Sequence, residues 1–556
     1  MWPPGDLLRR PGHAVWGAAG ALAGLASGAG LLARAGLLDP IRPDVLPRAL
    51  LALLRSGLSP AAAIGYSAAR YPNDLAIVDS RATLTFAEAA GVVSSVAAGL
   101  KLDGVRAGDK VGVLCRNHSG MALTTAALSS LGADVVLMSP SASPAELARV
   151  VKGQDIGVVI HDEELAAGLE DAGGAVTTLP VWRPGTERAG TARTDEKVLS
   201  PLRRAPAHRS RFILLTSGTT GTPKGAPRSV PLSLDPLLAI LSRIPLRVRD
   251  TTLIASPLFH AWGFGNLGLA WVMSSTVVLQ ERFDAEATLA AVAQHRVRVL
   301  TAVPVMLQRL IDLPVEVRSR YDLTSLRVVA SSGSAMPGDL ATRFMDSYGD
   351  VLYNLYGSTE AAWASIATPE DLRLEPRTAG RPPHGTTLRL VDSSGREVAA
   401  GESGRIVVGN AMISAPERPQ AGVPAGCVAT GDLGHLEEHG LLVVDGREDD
   451  MIVSGGENIY PKEIEDVLAS HPAVREVAVV GVDDAEFGQR LRAAVVLEDG
   501  RSATEDELKA LVRQKLARFK VPREIVFLDE LPRNATGKTL HRELREGAGS
   551  PADAAG

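Results

Sequence analysis

At 556 residues the chain can bury a large core and has room for more than one domain. A hydrophobic content of 45% with 22% charged residues describes a folded globular protein and excludes a disordered or fibrous one. The net charge of −6 gives no electrostatic footprint for nucleic acid, and two cysteines, Cys115 and Cys427, exclude a disulfide framework and lack metal-site spacing, so a reducing compartment is expected.

The first element in chain order is an uncharged run from Ala14 to Ala33, with Gly20, Gly24 and Gly28 at four-residue intervals. Its length meets the criterion for spanning a membrane, but its Ala/Gly composition is weakly apolar. The expectation is a helix that packs on the protein or lies against a membrane surface, as part of an extension over residues 1–40. Pro47–Ser56 reads as a helix with Leu50, Leu51 and Leu54 on one stripe, and Ser59-Pro60 starts a second helix to about Arg70.

From Leu75 onward, short β-rich runs alternate with helical stretches. Lys110–Leu114, Val135–Met138, Gly157–Ile160, Phe212–Leu215, Thr252–Ala255, Val277–Leu279, Val297–Leu300 and Arg327–Ala330 are the predicted strands. Strands separated by helices predict an α/β fold of mainly parallel, helix-covered sheets. Val181–Arg211 is basic and unpatterned and reads as a surface excursion. After Gly385, Thr387–Val391, Gly404–Val408 and Leu441–Val444 predict a small antiparallel β unit. Residues 461–545 then read as a compact α+β block: helix Pro461–Ser470, strands Glu476–Val482 and Leu491–Leu497, helix Thr504–Leu516 and strand Glu524–Leu528. The predicted division is a large domain over 41–448, a small one over 449–545 and a disordered tail over 546–556.

Chemistry concentrates first at Leu215–Gly225, which follows a predicted strand. Thr216, Ser217, Thr219, Thr220 and Thr222 supply hydroxyls, Gly218, Gly221 and Gly225 let backbone N–H groups converge, and Lys224 adds a charge. Such a loop suits a polyphosphate, although it is not a Walker A loop because Pro223 precedes the lysine. Composition alone leaves a solvated Ser/Thr/Gly loop equally open. Seven further strings follow. Ser256–Gly265 places His260 among aromatics and glycines, and Ser331–Ala335 holds Gly333 and Ser334. Asn354–Glu360 joins Asn354, Tyr356, Gly357, Ser358, Thr359 and Glu360, offering an aromatic for a base and a carboxylate for a cation. Thr430-Gly431-Asp432 and Gly446-Arg447-Glu448-Asp449 come next, then Ser454–Glu465 with Gly455 and Gly456, and finally Leu531–Lys538.

In this order the strings resemble the motif series of the acyl-adenylate-forming superfamily, of the acyl-CoA synthetase type, over about residues 60–545. The resemblance implies ATP, Mg²⁺ and coenzyme A as cosubstrates and cofactor, with Thr216–Lys224 as the clamp on the β- and γ-phosphates and Thr220 among the reacting groups. It implies that His260 gates the acyl carboxylate and that Gly333 and Ser334 line the acyl and adenine pocket. Tyr356 would stack on the base beside Asn354, Gly357 and Ser358, while Thr359 contacts the α-phosphate and Glu360 binds the metal. Asp432 would hold the ribose hydroxyls, Arg447 would reach ribose or α-phosphate, Asp449 would be the hinge, and Gly455 and Gly456 would admit the thiol arm. Lys538 would bridge substrate carboxylate and α-phosphate during adenylation.

One stretch departs from the family pattern. Between Gly409 and Thr430 the usual Gly-Tyr pair and Asp-Gly-Trp are replaced by Asn410-Ala411-Met412-Ile413 and a Gly/Pro-rich link. This puts local surface structure and substrate handling in question. The apolar N-terminus and the resemblance to fatty-acid ligases suggest a medium- or long-chain fatty acid, or else a steroid or other bulky lipid acid. Transfer of the acyl group to a carrier protein instead of coenzyme A stays open, as does a non-catalytic lipid-binding relative. ATP use implies a cytoplasmic enzyme, with peripheral membrane contact through residues 14–38 as an open option.

Overall fold

The computed structural model describes residues 27–40, 43, 45–47, 59–172, 176–184, 208–216, 224–228, 233–358, 361–413, 422–424, 426–448, 451–454, 457–484, 488–534 and 537–546. The architecture is α/β, as the alternating pattern predicts. An eight-stranded sheet runs in the order Ser365–Ala367, Leu352–Tyr356, Val328–Ser331, Val299–Ala302, Thr251–Ile254, Thr276–Leu279, Leu75–Val78, Thr83–Thr85. Its inner six strands pair in parallel and its two outermost strands pair antiparallel. A six-stranded sheet takes the order Thr177–Pro180, Val158–His161, Lys110–Leu114, Asp134–Met138, Phe212–Thr216, Lys224–Arg228. The inner strands are short apolar runs buried along their length, which is what parallel sheets covered on both faces require.

A five-stranded antiparallel sheet follows, in the order Thr378–Gly380, Leu442–Arg447, Val428–Leu436, Gly404–Gly409, Thr387–Val391. The C-terminal block has its own sheet of Glu457–Ile459, Ile452–Ser454, Gly488–Leu497, Val474–Asp484 and Glu524–Phe527. Helices Pro461–Ala469 and Glu505–Lys515 pack on it around Ile464, Leu468, Val479, Val495, Leu508 and Val512. Helix starts are fixed locally. Ser59 accepts the Ala62 N–H at 3.2 Å ahead of Pro60, and Thr504 and Glu507 form a reciprocal capping box.

Where the strand boundaries differ from expectation, tertiary pairing is the reason. Val428–Leu436 is the longest strand of the antiparallel sheet although Gly431, Asp432 and Gly434 interrupt its pattern, because it pairs on both sides. Leu352–Tyr356 is a strand that leads into the Tyr356 motif, fixed by pairing with Val328–Ser331 and Ser365–Ala367. Thr177–Pro180 and buried Val181 extend the six-stranded sheet at the start of the expected excursion, whose remainder from 185 to 207 lies outside the described residues. All but Pro47 of the helix expected over Pro47–Ser56, all but Glu546 of the tail expected over 546–556, and the hinge at 449–450 also fall outside them, Glu546 ending the helix His541–Glu546.

The described part of the N-terminal extension packs on the protein. Residues 27–34 are helical, and Leu31 and Ala35 are buried with Leu241 and Met273 against helices Asp235–Arg243 and Ala261–Val272. The Val248 N–H donates to the Ala35 carbonyl at 2.9 Å, sealing this contact. No helix among the described residues is long and apolar enough to cross a membrane.

Candidate active site

In parallel sheets the carboxyl ends of the strands open into loops on one edge, and ligands bind there. Strands Thr251–Ile254, Val328–Ser331 and Leu352–Tyr356 each lead into one of the motifs, and Val299–Ala302 lies between the first two of them in the eight-stranded sheet. Residues 255–260, 303–305, 331–335 and 357–358 therefore crowd one edge. The register aligns Ala302 with Ser331 and Ser331 with Asn354. Gly333 turns beside Val303, 3.4 Å from where its own Cβ would stand, while Ser331 Oγ is buried without a partner among the described residues. Ser334 is half-buried on the same loop.

His260 caps the N-terminus of helix Ala261–Val272 through its backbone, with the Phe264 N–H donating to its carbonyl at 2.9 Å. Its side chain makes no capping bond. Instead the ring lies 4.3 Å from that of Phe259, and Nε2 is buried with no partner among the described residues. Burial pushes its pKa down to about 4, so the imidazole is neutral at physiological pH. Trp262, two residues on, donates Nε1–H to the Ala302 carbonyl at 2.9 Å and packs between two hydrophobic clusters.

Tyr356 ends its strand on the same edge. Its hydroxyl donates to Asp432 and lies 3.2 Å from Thr430 Oγ1, tying the eight-stranded sheet to the antiparallel one. Burial raises the phenol pKa and the nearby Asp432 charge raises it further, so Tyr356 stays protonated. Asp432 stands opposite Arg447 in the ladder of Val428–Leu436 with Leu442–Arg447. Gly357 is required by a close approach: a Cβ there would collide with the Ala362 carbonyl. Ser358 Oγ accepts the Ala361 N–H at 3.1 Å, forming the turn after the motif. Thr359 and Glu360 lie outside the described residues.

Of the departing stretch between Gly409 and Thr430, the first residues are built into the fold. Asn410 Nδ2 donates to the carbonyls of Ala361 at 2.7 Å and Trp363 at 2.8 Å, and its Oδ1 accepts the Met412 N–H at 2.9 Å. Asn410 thus clamps the turn at Ala361–Trp363, while Met412 and Ile413 join the hydrophobic clusters on either side. The motif series does not reveal this role. Its one signal in the sequence is an Asn directly after a strand, the usual residue for side-chain-to-backbone bonding.

Of the phosphate loop, the flanking strands Phe212–Thr216 and Lys224–Arg228 are antiparallel, with Thr216 opposite Lys224. The loop between them, holding Ser217, Gly218, Thr219, Thr220 and Gly221, lies outside the described residues, as do Asp449, Gly455 and Gly456. Lys538 sits on the loop after Leu531, exposed, with no ammonium partner among the described residues. That loop reaches the same sheet edge, because a Cβ on Gly537 would stand 2.6 Å from Val305 Cγ1.

Among the described residues one cluster has metal-ligand proximity: buried Cys115, His118 and Asp162, away from these motifs in the chain. Its donors are already engaged. His118 Nδ1 accepts the Met121 N–H at 3.2 Å, leaving Nε2–H to donate to Asp162 at 2.8 Å. Burial alone would raise the Asp162 pKa, but the hydrogen bond from His118, with help from Arg116 N–H and the Arg81 charge, holds it at about 2. Burial raises the Cys115 thiol well above its ordinary value. This is a closed hydrogen-bonded network inside the fold.

The motif-bearing strands of the α/β fold end on one sheet edge, and the loop that carries Lys538 reaches it. Residues 65–415 match the family model for AMP-binding enzymes, and residues 463–538 match that for the AMP-binding enzyme C-terminal domain. The chain belongs to the AMP-binding enzyme family. It is 35% identical over 486 residues to a 2-succinylbenzoate–CoA ligase of Geobacillus kaustophilus, covering 85% of this chain and 95% of that protein. It is 34% identical over 494 residues to an indoleacetate–CoA ligase of Aromatoleum aromaticum, again covering 85% and 95%. Among solved structures it is similar to the amide bond synthetase McbA from Marinactinospora thermotolerans, with a TM-score of 0.76, 28% identity and coverage of 87% of this chain and 99% of that one.

Proposed function

We propose that this AMP-forming acid–CoA ligase activates an aryl or arylalkanoic acid. The substrate carboxylate oxygen attacks the α-phosphorus of ATP, the bond to the bridging oxygen breaks, and pyrophosphate leaves. The sulfur of coenzyme A then attacks the acyl carbon, and AMP departs. Carboxylates are poor acyl donors, and adenylation supplies the leaving group.

The observation that carries the first step is the approach of Gly537 to Val305, which sets the Lys538 loop at the edge where the motif-bearing strands end. In this reading Lys538 bridges carboxylate and α-phosphate, stabilising charge that builds in the transition state. Tyr356 offers its face to adenine, Asp432 and Arg447 hold the ribose, and Thr359 contacts the α-phosphate. Asn354, Gly333 and Ser334 form the adjoining wall. Thr216, Ser217, Gly218, Thr219, Thr220, Gly221 and Lys224 hold the departing pyrophosphate. Magnesium supplies charge neutralisation on the phosphates when bound. Glu360 would hold it, and one carboxylate beside substrate phosphates is the donor set this ion favours. For the second step, rotation about Asp449 would withdraw Lys538 and bring Gly455 and Gly456 to the thiol arm.

At the expected carboxylate gate the Phe259 ring lies against that of His260, and Trp262 is fixed by its bond to the Ala302 carbonyl. Relatives named for succinylbenzoate and indoleacetate support an aromatic acid over the fatty acid that the apolar N-terminus suggested. The likeness to an amide bond synthetase favours a second reading, in which an amine replaces the thiol as acceptor. A pyrophosphate-release screen tests both. Benzoate, indoleacetate, 2-succinylbenzoate, octanoate and palmitate are each offered with coenzyme A, a holo-carrier protein or a primary amine. An aryl acid with coenzyme A should give the highest kcat/KM. Preference for octanoate or palmitate overturns the acyl class, and product formed with amine but not coenzyme A overturns the acceptor.

A further inference from the structure

The Lys538 ammonium stands at the end of a flexible stem, exposed and without a partner among the described residues. What aims it is therefore its backbone. Around it the chain folds into a tight hairpin. Lys538 N–H donates to Asn534 Oδ1 at 2.9 Å, Asn534 N–H returns to the Lys538 carbonyl at 2.9 Å, and Leu540 N–H donates to the Pro532 carbonyl at 2.8 Å. Gly537 takes φ of +80°, a left-handed conformation that a Cβ would strain and that also keeps Val305 clear.

The peptide unit joining Gly537 to Lys538 has one further holder. Arg533 donates one Nη–H to the Gly537 carbonyl at 2.6 Å and the other to Glu476 Oε2 at 2.5 Å. Glu476 lies on strand Val474–Asp484, a member of the five-stranded sheet of the C-terminal block. Both partners are mostly shielded from water, with 27% and 21% of their side chains exposed, so the forked pair is less screened than a surface bridge. A lysine in this place would lack the planar fork that holds the two acceptors at once.

We infer that Arg533 is a positioning residue for Lys538, with Glu476 as its anchor. The pair transmits the position of the sheet to the peptide from which the lysine projects. The inference rests on the reading of Lys538 as the adenylation lysine. Misplacing a reacting group by about 1 Å can cost on the order of 100-fold in rate.

The test separates the two half-reactions in the full chain. Arg533→Ala should lower pyrophosphate release with acid and ATP by about 10- to 100-fold, mostly in kcat. Thioester formation from supplied acyl-adenylate and coenzyme A should stay within about twofold, since it does not use the lysine. Arg533→Lys should recover part of the loss, and Glu476→Gln, which keeps an acceptor but removes the charge, should show a smaller defect of the same kind. Thermal unfolding of all three variants accompanies the kinetics. Equal loss of both half-reactions in Arg533→Lys and Glu476→Gln, or no loss in Arg533→Ala, overturns the inference. Lys538→Ala runs in parallel. If it retains adenylation, the inference falls together with the reading beneath it; if it abolishes adenylation while Arg533→Ala is unaffected, the inference falls alone.

Discussion

The Tyr356 hydroxyl donates its hydrogen to the Asp432 carboxylate across 76 residues of chain. One residue ends a strand of the eight-stranded sheet and the other lies in the middle of an antiparallel strand. In the proposed function these are the groups for base and ribose, so a single hydrogen bond sets the spacing of the two halves of a nucleoside site. Thr430 reinforces it: its hydroxyl lies 3.2 Å from Tyr356 Oη, accepts the Asp432 N–H at 3.1 Å and contacts the Ile406 carbonyl at 3.3 Å.

Tyr356→Phe keeps the ring but removes the donor to Asp432. A hydrogen bond to a charged group is worth about 1.5–3 kcal/mol, or roughly 10- to 150-fold in an equilibrium constant. The KM for ATP should rise toward that range while kcat at saturating ATP changes little. Steady-state pyrophosphate release over an ATP titration measures this, and an unchanged KM would show that the bond does not order the nucleoside site.

Asn410→Ala removes both donors to the Ala361 and Trp363 carbonyls. Unpaired, partly buried acceptors cost about 1–3 kcal/mol each, so a clear drop in the unfolding midpoint is expected. Because the clamped turn follows Glu360, the KM for MgATP should rise as well. Asn410→Asp should behave worse than Ala, since a carboxylate would face two carbonyl oxygens. Calorimetry and an ATP titration check the pair; full retention of both stability and KM would refute the clamp.

The neutral state of His260 has a pH signature. Its folded pKa of about 4 lies below the ordinary histidine value of 6.5, so the unfolded chain binds the proton more readily. The stability from this group is fully present above 6.5 and is lost progressively as pH falls toward 4. Over about pH 5 to 8 the folded imidazole does not titrate, and kcat/KM should show no limb that belongs to it. Profiles of the protein and of His260→Ala should run parallel in that interval, with the variant displaced downward. A limb near 6.5 that disappears in the variant would contradict the assignment.

Leu31→Ala tests the N-terminal segment. Leu31 is 7% exposed and packs with Ala35, Leu241 and Met273. Truncating a buried leucine costs about 2–5 kcal/mol where the site cannot collapse, so the unfolding midpoint should fall measurably. A surface-lying helix would show no such change, and a denaturation curve that superimposes on the parent would place the segment off the protein.

The local patterns carried much of this architecture. Lys110–Leu114, Thr387–Val391 and the helix Pro60–Arg70 coincide with their predicted bounds because each has an apolar run or a cap that acts over a few residues. Val428–Leu436 did not stand out, since its glycines and Asp432 weaken the period-2 signal and only pairing on both sides makes it a strand. Asn410 was hidden for a related reason. Its partners lie 47 and 49 residues away, and no local rule points from an Asn after a strand to a turn so distant.

The order of the motifs, from the hydroxyl-rich loop at Leu215–Gly225 to Lys538, was determined by the amino-acid sequence alone, and with it the family and the need for a nucleotide. Residue type and short spacing encode that chemistry, because turns, caps and phosphate loops are built from contiguous backbone. The tertiary structure decided which of those residues meet. It joined Tyr356 to Asp432, laid the Lys538 loop against Val305, and set Arg533 between Gly537 and Glu476. Such contacts are fixed by sheet order and packing among elements far apart in the chain, whose geometry is a property of the whole fold.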